Sequence, residues 1–358
     1  MSINLETFNR VVNGNLIESV TLRSPCGLEA TFCNYGARLI ELIAPDVKGN
    51  PGDVVLGYPD FDDYLKGQTE MGALVGRVAN RIAKGHFTLD TNAYRLAVND
   101  GLNHLHGGLG GTMRRTFGVF KSSQSEVIFR LPLRDREDGY PGNVNLDVVY
   151  ALSEVGRLRM SIRATSDRAT PVNFCNHAYF NLADDSTILD HQLSINANFY
   201  TPVDEYLIPT GEILKVSRTP FDFTRATTIG ERIAKQHDQI NYGQGYDHNF
   251  VLDKFSQRNV YGESLAARVW APSSGRTLEI WTTEPGLQFY SGNFLGRRLE
   301  PAGRRPLIHR SGFCLETQHF PDSVNKPWFP NTILRPGEVF ISSTTYIFGS
   351  RWSRYEDI

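Results

Sequence analysis

The stretch VNLDVVYALSEVGRLRMSIRAT, Val144 to Thr165, decides the fold class. In its second half Leu158, Met160, Ile162 and Ala164 alternate with Arg157, Arg159, Ser161 and Arg163. A period of two places the apolar set on one face of a strand and the charged set on the other, which predicts a half-buried antiparallel strand. The first half, VNLDVVYAL, is rich in Val, Leu and Tyr, and SEVG supplies the turn, so the whole reads as a hairpin.

The same grammar continues outward in both directions. The 32 glycines and 18 prolines are spread along all 358 residues, separating short runs rich in Val, Ile, Thr, Tyr and Phe. HFTLDTNAYRLA turns around Thr91 and Asn92, and ARVWAPSSGRTLEIW around Ser273, Ser274 and Gly275. Helical patterns are few: TTIGERIAKQ suits a short helix with Ile229 and Ile233 on one side, and DSTILDHQ a single turn. With no low-complexity linker, charge run or fixed-period repeat, one domain over residues 1–358 is expected. Its class is all-β: a large antiparallel β-sandwich of two packed sheets with few short helices. A groove on an outer sheet or between long loops of such a sandwich suits an extended polar ligand such as a sugar.

Composition narrows the partners. A formal net charge of −2 argues against nucleic acid or an anionic membrane as the main partner. Cys26, Cys33, Cys175 and Cys314 show no C-x-x-C and no metal-ligand spacing, so reduced thiols are expected. MSINLETFNRVVNG has no basic segment followed by an apolar one, and no apolar run is long enough to span a membrane; a cytoplasmic location is expected.

Phosphate and nucleophile signatures are missing. HGGLGGTMRR is glycine-rich but contains neither G-x-G-x-x-G nor G-K-[ST], so it reads as a flexible loop, and no G-x-S-x-G occurs. GLNHLHGG, Gly101 to Gly108, sets His104 and His106 two apart, on one face if the segment is extended. That arrangement suits a metal pair, a proton-transfer pair or a sugar-binding surface. The first acidic residue after His106 is Glu126, too distant for a His-x-His metal motif, and no metal is expected.

Two further segments carry candidate chemistry. VNFCNHAYFNL, Val172 to Leu182, if extended, puts Asn173, Cys175, His177 and Tyr179 on one face and Phe174, Asn176, Ala178 and Phe180 on the other. In GFCLETQHFPDSVN, alternation sends Phe313 and Leu315 inward and leaves Cys314, Glu316 and Gln318 on the opposite face. A carboxylate in so apolar a strand is costly to bury unless paired or given a task. Asn80 and Arg81 in GRVANRIAKG, Asp247 and His248 in GYDHNFVL, and Gln288 and Tyr290 in EPGLQFYSGN add donors and acceptors beside apolar neighbours, the mixture a pyranose requires.

In this order, NYGARLIELIAPD, GRVANRIAKGHF, NHLHGG, DGYPGN, NHAYFNL, TPVDEYLIPTGEI, GYDHNF, EPGLQFYSGN, ETQHFPDSVNKPWFP and LRPGE closely resemble the aldose 1-epimerases, also called galactose mutarotases, over nearly the full chain. The resemblance implies a single β-sandwich domain of the galactose mutarotase-like supersandwich type, an open sugar cleft and no cofactor. It implies Glu316 as catalytic base, His177 as catalytic acid and His106 as an assisting histidine, with Arg81, Asp247, Gln288 and, more weakly, Asn80 binding the sugar. The substrate would be a free monosaccharide such as galactose or glucose, and the chain a monomer or homodimer. After HGG the family pattern is broken by GTMR and Phe117, which bears on the loop over residues 109–118 and on substrate preference.

Those residues suit one reaction. Exchanging anomers removes the proton of the C1 hydroxyl while protonating the ring oxygen, opening the ring to an aldehyde that rotates and recloses. One base and one acid suffice, each contributing about 10²–10⁴-fold. His106 then belongs to the cleft, its glycines letting backbone pass close beneath the sugar, while His104 braces it. The competing readings are a non-catalytic sugar-binding protein and a hydrolase or lyase on a similar sandwich. The first would lack Glu316 or His177, and the second would need Asp247 as a second carboxylate.

Overall fold

The computed structural model describes residues 2–67, 69–255, 258–296 and 301–350. The hairpin forms as read: Val144–Leu152 and Arg157–Ser166 pair antiparallel from Val144 opposite Ser166 to Leu152 opposite Leu158. Leu158, Met160, Ile162 and Ala164 are buried, whereas Arg157 and Arg163 are exposed. Each buried Leu, Met or Ile contributes about 1.5–3 kcal/mol, and a one-residue slip would turn all of them to water, so this face sets the register. A charge at Ile162 would break it.

This hairpin lies inside a nine-stranded sheet. Its order is Gly118–Ser122, Glu126–Leu133, Val144–Leu152, Arg157–Ser166, Phe340–Gly349, Thr277–Thr282, Ser264–Trp270, Gln192–Ile195 and Thr227–Thr228, with every pairing antiparallel. Among the described residues two smaller sheets and five two-stranded pairs make up the other strands. One holds Ser19–Arg23, Glu29–Cys33, Arg38–Pro45 and Pro51–Asp53; the other runs in the order Leu214–Lys215, Phe199–Thr201, Asp247–Val251, Gly286–Tyr290 and Cys314–Gln318. Apolar side chains from all three sheets join in one cluster reaching from Leu22 to Tyr346.

The all-β class with few short helices is as expected, and the residues around Val172–Leu182 show why the strands outside the nine-stranded sheet fall into separate sheets. This segment runs as a seam between the two smaller sheets. Phe180 makes isolated bridges to Val55 on one side and Phe313 on the other, while Cys175–Asn176 pairs with Leu74–Val75. Its asparagines take backbone groups that a ladder would otherwise take. Asn176 donates to the Gly72 carbonyl and accepts from the Ala178 N–H, Asn181 donates to the Ser311 carbonyl, and Asn173 exchanges two bonds with the His319 backbone. Side-chain amides standing in for ladder bonds satisfy the buried backbone and interrupt the regular strand.

Three short α-helices occur among the described residues: Phe61–Lys66, Ile229–Arg232 and Asp238–Gly243. The second is the one expected, with Ile229 and Ile233 both buried. No helix among the described residues is long and apolar enough to cross a membrane. One turn is displaced from the sequence reading: Asn92 already pairs with Leu89, so Asp90 and Thr91 form the turn, Asp90 taking the left-handed φ of 55° that closes it.

Candidate active site

Four segments meet around a cleft of about 370 Å³. Phe313 and, in the strand Cys314–Gln318 that follows it, Leu315 are buried in the main core, while Glu316 turns the other way, to the cleft wall. The seam sends Phe174, Ala178 and Phe180 into the core and His177 and Tyr179 into the cleft. Asp247 opens the strand Asp247–Val251, opposite Tyr290. The short strand Arg81–Ile82, paired with His104–Leu105, brings in Arg81, Asn80 and His106.

At the centre, His177 Nε2 stands 3.7 Å from Glu316 Oε1, both side chains about 95% buried or more. The Glu316 Oε2 accepts a hydrogen bond from the Cys175 thiol at 3.4 Å. Burial pushes the Glu316 carboxyl above the usual carboxylate range; His177 pulls it back, Asp247 pushes it further up, and the Cys175 bond opposes that rise. The His177 ring stacks on Tyr179 at 5.0 Å and meets the His106 ring edge-on at 5.1 Å, while its Nδ1 lies 3.5 Å from Cys314 Sγ.

The two histidines of HLH part company. His104 is fully buried, its Nδ1 2.6 Å from the Ala97 carbonyl and its Nε2 2.6 Å from the Tyr140 hydroxyl, and it does not line the cleft. His106 does. It adopts φ of 53°, so the extended alternation that would have put both rings on one face ends before it. His106 donates its backbone N–H to the Asn80 carbonyl at 3.1 Å and accepts the Asn80 N–H on Nδ1 at 3.2 Å. Burial, then the charges of His177 and Arg81, hold His106 well below the usual imidazole range, so the ring is neutral with its proton on Nε2.

The glycines after His106 serve a different contact from the one expected. A Cβ on Gly107 would fall 1.8 Å from the Gly76 carbonyl oxygen, so the close approach is backbone to backbone and seats the turn that carries His106. Gly110 donates to Asp138 at 3.0 Å, and residues 107–118 contribute nothing to the cleft lining, so the atypical loop stands apart from it.

Of the expected sugar-binding residues, Asn80, Arg81 and Asp247 line the cleft. Arg81 Nε is 2.8 Å from Asp100 Oδ2, and its Nη1 is 4.0 Å from Asp247 Oδ2. Gln288 stands one layer behind: it does not line the cleft, and its Nε2 donates to Asp247 Oδ1 at 2.7 Å. Burial raises the Asp247 carboxyl, with Arg81 and then Gln288 pulling it down. His248 turns away, its Nε2 3.1 Å from Gln239 Oε1. Residues the sequence reading did not single out as cleft groups include Asp100, Glu70, Tyr206 and Tyr242. Tyr242 comes from the short helix Asp238–Gly243 and the others from loops remote in sequence, and none leaves a periodic signal.

One potential ligand atom each from His106, His177 and Glu316 lies within 4.8 Å of the others. The fit to a cation is poor for a chemical reason: the Asn80 N–H occupies Nδ1 of His106, so the nitrogen facing the cleft carries a proton and has no lone pair to give. The set suits hydroxyl oxygens.

The sequence profile described as aldose 1-epimerase matches residues 18–346. A galactose mutarotase of Bos taurus is 42% identical over 90% of this chain and 91% of its own, and an aldose 1-epimerase of Escherichia coli K12 is 37% identical over 94% and 96%. An aldose epimerase homologue of known structure from C. elegans superposes with a TM-score of 0.84 at 29% identity, covering 94% of this chain and 99% of that one. A galactose 1-epimerase from Lactobacillus acidophilus superposes with a TM-score of 0.82 at 27% identity, covering 96% and 97%. The chain belongs to the aldose 1-epimerase family, whose reaction is isomerisation at C1 of an aldose.

Proposed function

We propose that this aldose 1-epimerase interconverts the α and β anomers of a free hexose such as galactose or glucose, with Glu316 as base and His177 as acid. The observation that carries the assignment is the 3.7 Å separation of Glu316 Oε1 and His177 Nε2 at the buried end of the cleft. The C1 hydroxyl and the ring oxygen are bonded to the same carbon, so a base and an acid that serve both must stand a few ångströms apart. Glu316 takes the C1 hydroxyl proton, the pair left on that oxygen by the broken O–H bond forms the aldehyde C=O, the pair of the breaking bond from C1 to the ring oxygen stays with the ring oxygen, and His177 protonates it. Rotation about C1–C2 presents the other face, and the steps reverse. No electrons are gained or lost overall.

The neutral His106, with its proton on Nε2, donates to a sugar oxygen without adding charge beside His177. Arg81, Asn80 and Asp247 hold hydroxyls; Gln288 supports them through Asp247. Tyr179 and Tyr290, edge-to-face at 6.1 Å, offer an apolar surface for the C–H side of the ring. Asp247, the second carboxylate the sequence offers for glycoside cleavage, is already engaged by Gln288 and faces Arg81.

The whole chain acts as one domain on this reading, since its main apolar cluster spans Leu22 to Tyr346. Its small net charge and four free cysteines suit work on free sugars in the cytoplasm, without nucleic acid or membrane. The test is polarimetry of freshly dissolved α-D-galactose and α-D-glucose with and without the protein. Acceleration of either above the buffer rate supports the reading. Binding without acceleration on both leaves the sugar-binding alternative, and cleavage of a disaccharide would point to the hydrolase.

A further inference from the structure

Two buried thiols stand directly behind the acid and the base: Cys314 beside His177 Nδ1, and Cys175 beside Glu316 Oε2. The second carries the stronger argument. We infer that Cys175 is a positioning residue for Glu316, its S–H engaging Oε2 from behind so that Oε1 is the oxygen presented to the sugar. The inference rests on Glu316 being the base.

Three observations support it. Cys175 is fully buried on the two-residue strand Cys175–Asn176, its backbone opposite Val75 and its side chain among Ala73, Ala79 and Met113, so the sulfur cannot wander. Among the described residues no other hydrogen bond reaches the Glu316 carboxylate, and a terminal carboxylate torsion is otherwise broad. Its single S–H proton has a second acceptor in reach, Gln318 Oε1 at 3.8 Å, but Glu316 Oε2 is nearer at 3.4 Å and carries the charge, so the proton goes to the glutamate. Burial keeps the Cys175 thiol well above its ordinary range, so the sulfur stays protonated and remains a donor.

The choice of sulfur has a functional sense. A hydroxyl in this place would form a shorter, charge-assisted bond, stabilise the carboxylate and weaken it as a base. A thiol is a weak donor, able to orient the group while leaving its basicity nearly intact. The other groups facing Glu316 are His177 from the seam, Asp247 from the strand beyond Gly286–Tyr290, His106 from the turn after His104–Leu105, and Glu70 ahead of Ala73. Tyr179, Tyr346 and, on its own strand, Cys314 complete the surroundings. All of them remain when Cys175 alone is changed.

The experiment is the pH dependence of kcat by polarimetry for wild type, Cys175→Ala, Cys175→Ser and Glu316→Gln, with thermal melting to confirm folding. Cys175→Ala is expected to move the acidic limb to higher pH and to lower kcat about 3- to 10-fold with KM changed less than about twofold. Cys175→Ser is expected to move the limb to lower pH and to retain more activity than the alanine variant at pH 6. Limbs that coincide with wild type within about 0.2 pH unit, or that move the same way in both variants, overturn the inference and leave Cys175 a packing residue. If the alanine variant does not fold, the direction of the serine shift decides alone. Glu316→Gln separates the two failures: an inactive glutamine variant beside unshifted thiol variants refutes only the role of Cys175, whereas an active one refutes the base.

Discussion

Replacing Gln288 with Met separates support from contact. Gln288 Nε2 donates to Asp247 Oδ1 at 2.7 Å, and Gln288 itself lies outside the cleft lining. Methionine keeps the length and most of the volume but removes the donor, leaving Arg81 at 4.0 Å as the remaining side-chain partner of Asp247 among the described residues. A hydrogen bond to a charged group contributes about 1.5–3 kcal/mol, which corresponds to about a 10- to 100-fold loss of kcat/KM if it is felt fully in the transition state. Because the bond lowers the proton affinity of Asp247, its loss also raises that carboxyl further, and the deficit should grow as pH falls. The decisive form is a double-mutant cycle with Asp247→Ala, read as kcat/KM by polarimetry. If Gln288 acts through Asp247, the methionine change in the alanine background costs less than about threefold. An equal loss in both backgrounds would refute this reasoning and restore Gln288 as a direct sugar contact.

Other outcomes follow from the same geometry. His106→Asn should cost far more activity than His104→Asn, since only His106 lines the cleft, and equal losses would contradict the division between them. The rate should have a bell-shaped pH profile whose acidic limb lies above the ordinary glutamate value of about 4.3, because Glu316 is raised by burial and must lose its proton to act; a flat profile from about pH 5 to 9 would contradict it. His248 is depressed by burial to about 3, so between that value and its unfolded value of about 6.5 only the unfolded chain takes up the proton. Stability from this group is complete above the unfolded value and is lost as pH falls. From pH 8 to 5 wild type should therefore lose about 2 kcal/mol more than His248→Gln in urea unfolding; parallel losses would contradict the assignment.

The parts of the fold that alternate strictly were legible, and the parts that do not were not. Leu158 to Ala164 announce their strand because one face is wholly apolar and the other carries arginines, and nothing in the tertiary structure competes with that pattern. The seam at Val172–Leu182 shows the same alternation of faces, yet Asn173, Asn176 and Asn181 spend their amides on backbone groups and replace a continuous ladder with bridges. That exchange depends on partners more than 100 residues away, which local pattern does not contain. In the site, Glu316 stood out as a carboxylate between apolar neighbours, and His177 as a histidine facing away from two phenylalanines. Their roles came from the family resemblance. The position of Gln288 behind Asp247 depends on cross-strand register, in which Asn249 rather than Asp247 lies opposite Gln288, and no spacing within either segment reveals it. The parting of His104 from His106 depends on one backbone torsion, the φ of 53° at His106.

The most direct test of the chemistry is the rate of α-D-galactose and α-D-glucose mutarotation with Glu316→Gln beside wild type, together with sugar binding by calorimetry. Glutamine preserves the shape of the side chain and cannot take a proton from the C1 hydroxyl. Wild type should accelerate at least one sugar above buffer, with the variant slower by about 10²-fold or more while still binding it. A Glu316→Gln protein that turns over at the wild-type rate would contradict the assignment of the base, and with it the pairing of Glu316 and His177.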